Sequence, residues 1–147
     1  MRTILAILAV LALAVPASAQ LTVAGGGSQD WVKASSGGAW TEPSVNMMPA
    51  FDYALGRLSM SFRASEDGDT LQEYGLGTRW VSGPATVFVL AVGETWGPEI
   101  AGERKMLGGA RLGIRGEADG LPVEMSFRYT AGSGGVAHAG VFLGLWK

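Results

Sequence analysis

The chain has 147 residues, 23 of them glycine, none of them cysteine, and a net charge of −2. Without cysteine there is no disulfide framework, and no lipid-anchored N-terminus, which needs one at its cleavage site. A charged content of only 16%, mildly acidic in balance, excludes both a nucleic-acid binder and a disordered acidic tail.

Met1 to Ala19 reads as a secretory signal peptide. Arg2 gives the positive start, Ile4 to Val15 the apolar stretch, and Ala17-Ser-Ala19 the small-residue cleavage site before Gln20. That stretch is too short for a spanning helix, which needs about 20 residues. Residues 20–147 then form one domain.

Turn signals divide this domain into eight candidate strands. The first is weak, Gln20 to Gly26, and is followed by a Gly/Ser-rich segment, Gly25 to Gly38, that reads as a loop. The second, Asn46 to Leu55, sets Phe51, Tyr53 and Leu55 against Ala50, Asp52 and Ala54. The third, Arg57 to Ala64, has the clearest beat: Leu58, Met60 and Phe62 face one way, Arg57, Ser59, Ser61 and Arg63 the other. Such a period of two marks a strand with unlike faces. In the fourth, Leu71 to Val81, Tyr74, Leu76, Thr78 and Trp80 oppose Glu73, Gly75, Gly77 and Arg79.

The fifth, Ala85 to Glu94, is apolar on both faces, and its bulkier set, Phe88, Leu90 and Val92, is assigned to the apolar side. The sixth, Met106 to Gly116, opposes Leu112 and Ile114 to Arg111 and Arg115. The seventh, Leu121 to Thr130, opposes Val123, Met125, Phe127 and Tyr129 to Glu124, Ser126 and Arg128. In the eighth, Val136 to Trp146, the row Ala139, Val141, Leu143 and Leu145 opposes His138, Gly140, Phe142, Gly144 and Trp146. Long connections follow the odd-numbered strands and short turns the even ones. This is the pattern of an up-and-down membrane barrel with its long loops at one end.

Orientation decides the function. One face collects the aromatics Phe51, Tyr53, Phe62, Tyr74, Trp80, Phe88, Phe127 and Tyr129. The other collects Asp52, Arg63, Glu73, Arg79, Arg111, Arg115, Glu124 and Arg128 among glycines, serines and alanines. In a transmembrane barrel the first set meets lipid and the second forms a charge network in a lumen just wide enough for side chains. Five arginines against three carboxylates leave two positive charges in need of partners. In a secreted soluble barrel holding a small apolar ligand the faces exchange roles. The small residues of the polar face, the aromatics near strand ends and the strand lengths all favour the membrane.

With its signal peptide, eight strands, loop alternation and closing Val141-Phe-Leu-Gly-Leu-Trp146, the chain resembles the small eight-stranded outer-membrane proteins, the OmpA-type transmembrane domain and OmpX-like barrels. The resemblance implies an all-β, eight-stranded antiparallel up-and-down transmembrane barrel without cofactor. It also implies a monomer in the outer-membrane lipid of a Gram-negative envelope, inserted by the outer-membrane assembly machinery, with a structural or surface-contact role and no nucleic-acid partner. Those families usually end on an aromatic residue. Here Trp146 is followed by Lys147 and falls on the polar beat, which leaves the register of the last strand open.

Chemistry has few candidates. Some such barrels are lipid-A-modifying hydrolases using Ser and His, which singles out Ser133, His138 and Glu124. The expected His-Ser pair on one strand is absent, since Ala139 and Gly140 follow His138, and a structural histidine is the simpler reading. Glu66-Asp-Gly-Asp69 lacks the spacing of a calcium loop. Trp31, Trp40 and Trp96 fall in the expected long loops, where they would be available to a partner.

Overall fold

Every described strand is hydrogen-bonded on both sides. In a computed structural model, which describes residues 20–33, 39–53, 56–65, 70–96 and 106–147, eight antiparallel strands follow one another around a closed barrel. They are β1 (Gln20–Lys33), β2 (Ala39–Tyr53), β3 (Gly56–Ser65), β4 (Thr70–Ser82), β5 (Ala85–Trp96), β6 (Met106–Ala118), β7 (Leu121–Ala131) and β8 (Ala137–Trp146). β1 and β8 close the ring with Ala24 opposite Trp146 and Lys33 opposite Ala137, so no edge is left exposed. The signal-peptide segment, residues 1–19, and Glu66-Asp-Gly-Asp69 lie outside the described residues.

The all-β, eight-stranded, up-and-down architecture is the one the alternation predicts. Its turns are as short as expected where they join β4 to β5 and β6 to β7. Gly83 takes φ +58°, and Asp119 and Gly120 take +52° and +77°, the consecutive left-handed pair of a two-residue hairpin turn. At the other end the β7–β8 connection contains one 3-10 turn, Ser133–Gly135.

Two boundaries differ from expectation. The segment read as a loop from Gly25 to Gly38 is strand as far as Lys33, and β2 starts at Ala39 rather than Asn46, paired through Lys33↔Ala39. Glycine and serine have little strand propensity of their own, but pairing overrides it. Gly26 shows why a side chain is missing there. A Cβ on it would run into the backbone of Leu143 and Gly144 on β8. Trp31 and Trp40 accordingly belong to β1 and β2, and Trp96 ends β5; none of the three is a loop residue.

The outer wall is apolar. Leu21, Phe51, Phe62, Tyr74, Leu76, Trp80, Leu112, Ile114, Met125, Phe127, Tyr129, Leu143 and Leu145 are all exposed on it. The interior holds three small apolar clusters and many charged side chains. Val32, Leu71, Leu107 and Val136 pack together towards the loop end. Ala24, Met48 and Phe142 pack with Trp146, and Phe88, Leu90 and Val92 form the third.

Candidate functional site: the charged lumen

Alternation along each strand sends one polar side chain in two into the barrel, and the sheet curls them onto one another. On the loop side, Asp30 of β1, Glu73 of β4 and Glu94 of β5 meet Arg63 of β3, Arg111 of β6 and Arg128 of β7, with His138 of β8 among them. Arg128 is the hub: Nη1 lies 2.9 Å from Glu73, Nη2 2.9 Å from Asp30 and Nε 2.8 Å from Glu94. Arg111 also reaches Glu73 at 2.9 Å and donates to Ser126 at 3.0 Å. Arg63 lies 3.2 Å from Asp30. His138 sits with Nε2 2.8 Å from Asp30 and Nδ1 2.9 Å from Glu94. Ser28 and Ser44 donate to Asp30 Oδ2 at 2.7 and 2.9 Å, and Asn46 donates to Ser28.

A second group lies towards the short turns. Glu124 Oε2 receives Arg115 Nη2 at 2.6 Å and Arg57 Nη2 at 3.1 Å. Arg115 Nη1 lies 3.2 Å from Asp52 and donates to Thr22 at 3.0 Å. Arg79, 16% exposed, stands 3.9 Å from the same carboxylate. Two aromatic faces complete the group: Arg57 lies over Phe88 at 4.1 Å and Arg115 over Trp146 at 4.6 Å, positions that favour a cation.

All eight charged positions singled out from sequence therefore project inward, seven buried and Arg79 partly open. They fall into these two groups rather than one. Four members of the network were missed. Arg57 sits on the polar beat of the third strand but was not counted with the charges. Asp30 lay in the supposed loop, Glu94 at the end of a strand without an evident polar face, and His138 was taken for a strand-end residue. Asp30 and Glu94 supply much of the negative charge that the sequence left wanting. Among the described residues, the lumen sets six arginines against five carboxylates.

The aromatic assignments hold a correction. Phe51, Phe62, Tyr74, Trp80, Phe127 and Tyr129 are exposed on the outer wall, but Phe88 is 0% exposed inside the barrel, with Leu90 and Val92. Strand β5 is apolar on both faces, so bulk alone could not orient it. Its partner decides. Phe88 lies opposite Gly113, where a Cβ would strike the phenyl ring, so the ring occupies the room that glycine leaves. Val87 and Val89 take the outer positions. The side chain of Tyr53 lies outside the described residues. Trp146 turns inward and donates to the Gly116 carbonyl at 3.3 Å, which settles the register of β8.

Little here suits catalysis. Ser133 is exposed while His138 is fully buried, and Glu124 belongs to the arginines of the opposite group. Among the described residues no cluster of histidine and carboxylates has metal-binding geometry. The space beside Ser28, Asn46, Arg111 and Arg128 measures about 10 Å³, about one water.

The arrangement defines a class: a small closed β-barrel with an inverted distribution of polarity, greasy outside and ionic within. No protein-family model and no curated protein matches the sequence. Among solved structures the fold matches Neisserial surface protein A (NspA), with a TM-score of 0.57 at 11% identity over 88% of this chain and 97% of that one. It also matches Ail, the attachment invasion locus protein of Yersinia pestis, with a TM-score of 0.50 at 12% identity over 86% and 97%.

Proposed function

We propose that the protein is an outer-membrane barrel of a Gram-negative envelope, exported by its signal peptide, with a structural or surface-contact role and no catalytic one. The observation that carries this reading is the pairing of an exposed apolar wall with a buried ionic lumen. Exposed on this scale to water, the wall would be an aggregation surface; against hydrocarbon it is the stable arrangement. Strands of 10 to 15 residues are long enough for a tilted crossing, which needs about 9 to 11. Closure leaves no backbone edge for lipid to desolvate. The fold match supports a surface role, since one structural neighbour is named as a surface protein and the other as an attachment locus.

With charged side chains paired across its lumen, the barrel is not expected to conduct. The soluble, ligand-holding alternative loses its basis with this interior, because a pocket for an apolar ligand would have to be lined by Arg63, Arg111 and Arg128. Fractionation tests the proposal. The protein should leave the envelope only with detergent, migrate faster on a gel before boiling than after, and give no steady conductance in a planar bilayer. Recovery as a freely soluble monomer would overturn it.

A further inference from the structure

The outer wall is not uniform. At the loop end, across β7, β8 and β1, one row reads Tyr129, Ala139, Trp31: Tyr129 is the register partner of Ala139, and Ala139 of Trp31. Two exposed aromatic side chains therefore flank a strand that carries only alanine, with Ala137 as the next outward residue. Neighbouring strands lie about 4.8 Å apart, so the aromatic walls stand about 10 Å from each other. An open groove of about 430 Å³ runs here, lined by Trp31, Lys33, Thr41, Tyr129, Ala137 and Ala139.

Its loopward rim is Lys33, opposite Ala137 and about 7 Å further along β1 than Trp31. Lys33 and Lys147 are the two exposed cationic side chains among the described residues, and they sit at opposite ends of the barrel. Elsewhere among the described residues the outer wall carries no exposed cation. An apolar slot that ends at a single ammonium, at the depth where a membrane changes from hydrocarbon to headgroup, complements an acyl chain attached to a phosphorylated headgroup.

We propose that this groove is a specific lipid site, in which an acyl chain of the phosphorylated glycolipid of the outer leaflet, lipid A, lies over Ala137 and Ala139 between Trp31 and Tyr129 while its phosphate pairs with Lys33. The assignment rests on the outer-membrane reading, which places the loop end in that leaflet.

The full chain, folded in detergent, is titrated with lipid A, with lipid A lacking its phosphates, and with phosphatidylglycerol, and the retained lipid is counted by native mass spectrometry. Lipid A should be held at one copy per barrel, and dephosphorylated lipid A about tenfold more weakly, as loss of one charge-assisted contact implies. Phosphatidylglycerol should be held less tightly than lipid A, because its phosphodiester carries one charge where a phosphate monoester carries up to about two. Lys33→Gln should reduce retention of lipid A to the dephosphorylated level, and Ala139→Leu should abolish it by filling the slot. Lys147→Gln should change nothing. Equal retention of lipid A and phosphatidylglycerol, or wild-type retention by both Lys33→Gln and Ala139→Leu, overturns the site. The gel shift is read on the same samples: a barrel that shows it but fails to discriminate lipids refutes the groove alone, whereas a chain that never shows it refutes the membrane reading and the groove with it.

Discussion

Arg128 on β7 and Glu73 on β4 meet at 2.9 Å inside the lumen, joining strands three positions apart around the ring. The contact is one of three that Arg128 makes with carboxylates. It staples opposite walls that backbone hydrogen bonds alone would leave connected only through their neighbours. A filled, cross-linked interior of this kind costs desolvation to assemble and much more to disturb.

Replacing Arg128 by Met should therefore destabilise the barrel sharply, by about 3–5 kcal/mol, because Asp30, Glu73 and Glu94 keep their charge and lose their common partner. Urea unfolding of the folded protein in lipid vesicles, followed by tryptophan fluorescence, reads this out. The triple replacement that also neutralises Glu73 and Asp30 should recover part of the loss. An unchanged midpoint for the single variant would show that the network contributes nothing.

Phe88 offers a sharper comparison, because it separates inward from outward aromatics. Phe88→Ala should cost about 3–5 kcal/mol through the cavity it leaves and through the loss of its contact with Arg57. Phe127→Ala, on the lipid-facing wall, should cost clearly less. Equal losses for both would mean that β5 is not oriented as described.

These two residues also show what the sequence could and could not reveal. Phe127 alternates with Glu124, Ser126 and Arg128, so its strand announces which face is polar. Phe88 alternates with valines, and only the partner strand, by placing Gly113 opposite, decides its side. The same holds for Asp30. Its strand carries glycine and serine where a local reading expects a turn, and its place in the lumen follows from pairing with β2 and β8, which is information distant in sequence. Apart from Arg57, which was passed over on a clear polar beat, the charge network was thus legible where beat and charge coincided, on β2, β3, β4, β6 and β7, and hidden where either was missing.

Glycine positions along β1 test this dependence on pairing directly. Gly25→Ala adds a Cβ with nothing within 4 Å, while the Cβ of Gly26→Ala meets the β8 backbone at Leu143 and Gly144. The first variant should fold with wild-type yield and the second should lose most of its heat-modifiable form. Equal folding yields would show that the β1–β8 seam is looser than this register.

Pro49 marks the weak line of the wall. The amide and carbonyl of Val23 both bond to Lys147 on the β8 side, at 2.9 Å each. Val23 therefore exchanges no ladder bonds with Pro49, its partner on β2, and the backbone of Pro49 faces β3 instead. Proline has no N–H to give there, and the β2–β3 ladder breaks between Met47↔Phe62 and Ala50↔Ser59. Pro49→Ala should restore one ladder bond and stabilise the barrel by about 1 kcal/mol, less the few tenths that proline gains by restricting the unfolded chain. Hydrogen exchange in micelles should show the Met60 amide, which faces β2, exchanging faster than the Gly75 amide, which faces β3 on the β3–β4 seam opposite Ser59, and slowing in the variant. Protection at Met60 that is already as high as at Gly75, and unchanged by the substitution, would mean that the missing donor leaves no soft point in the wall.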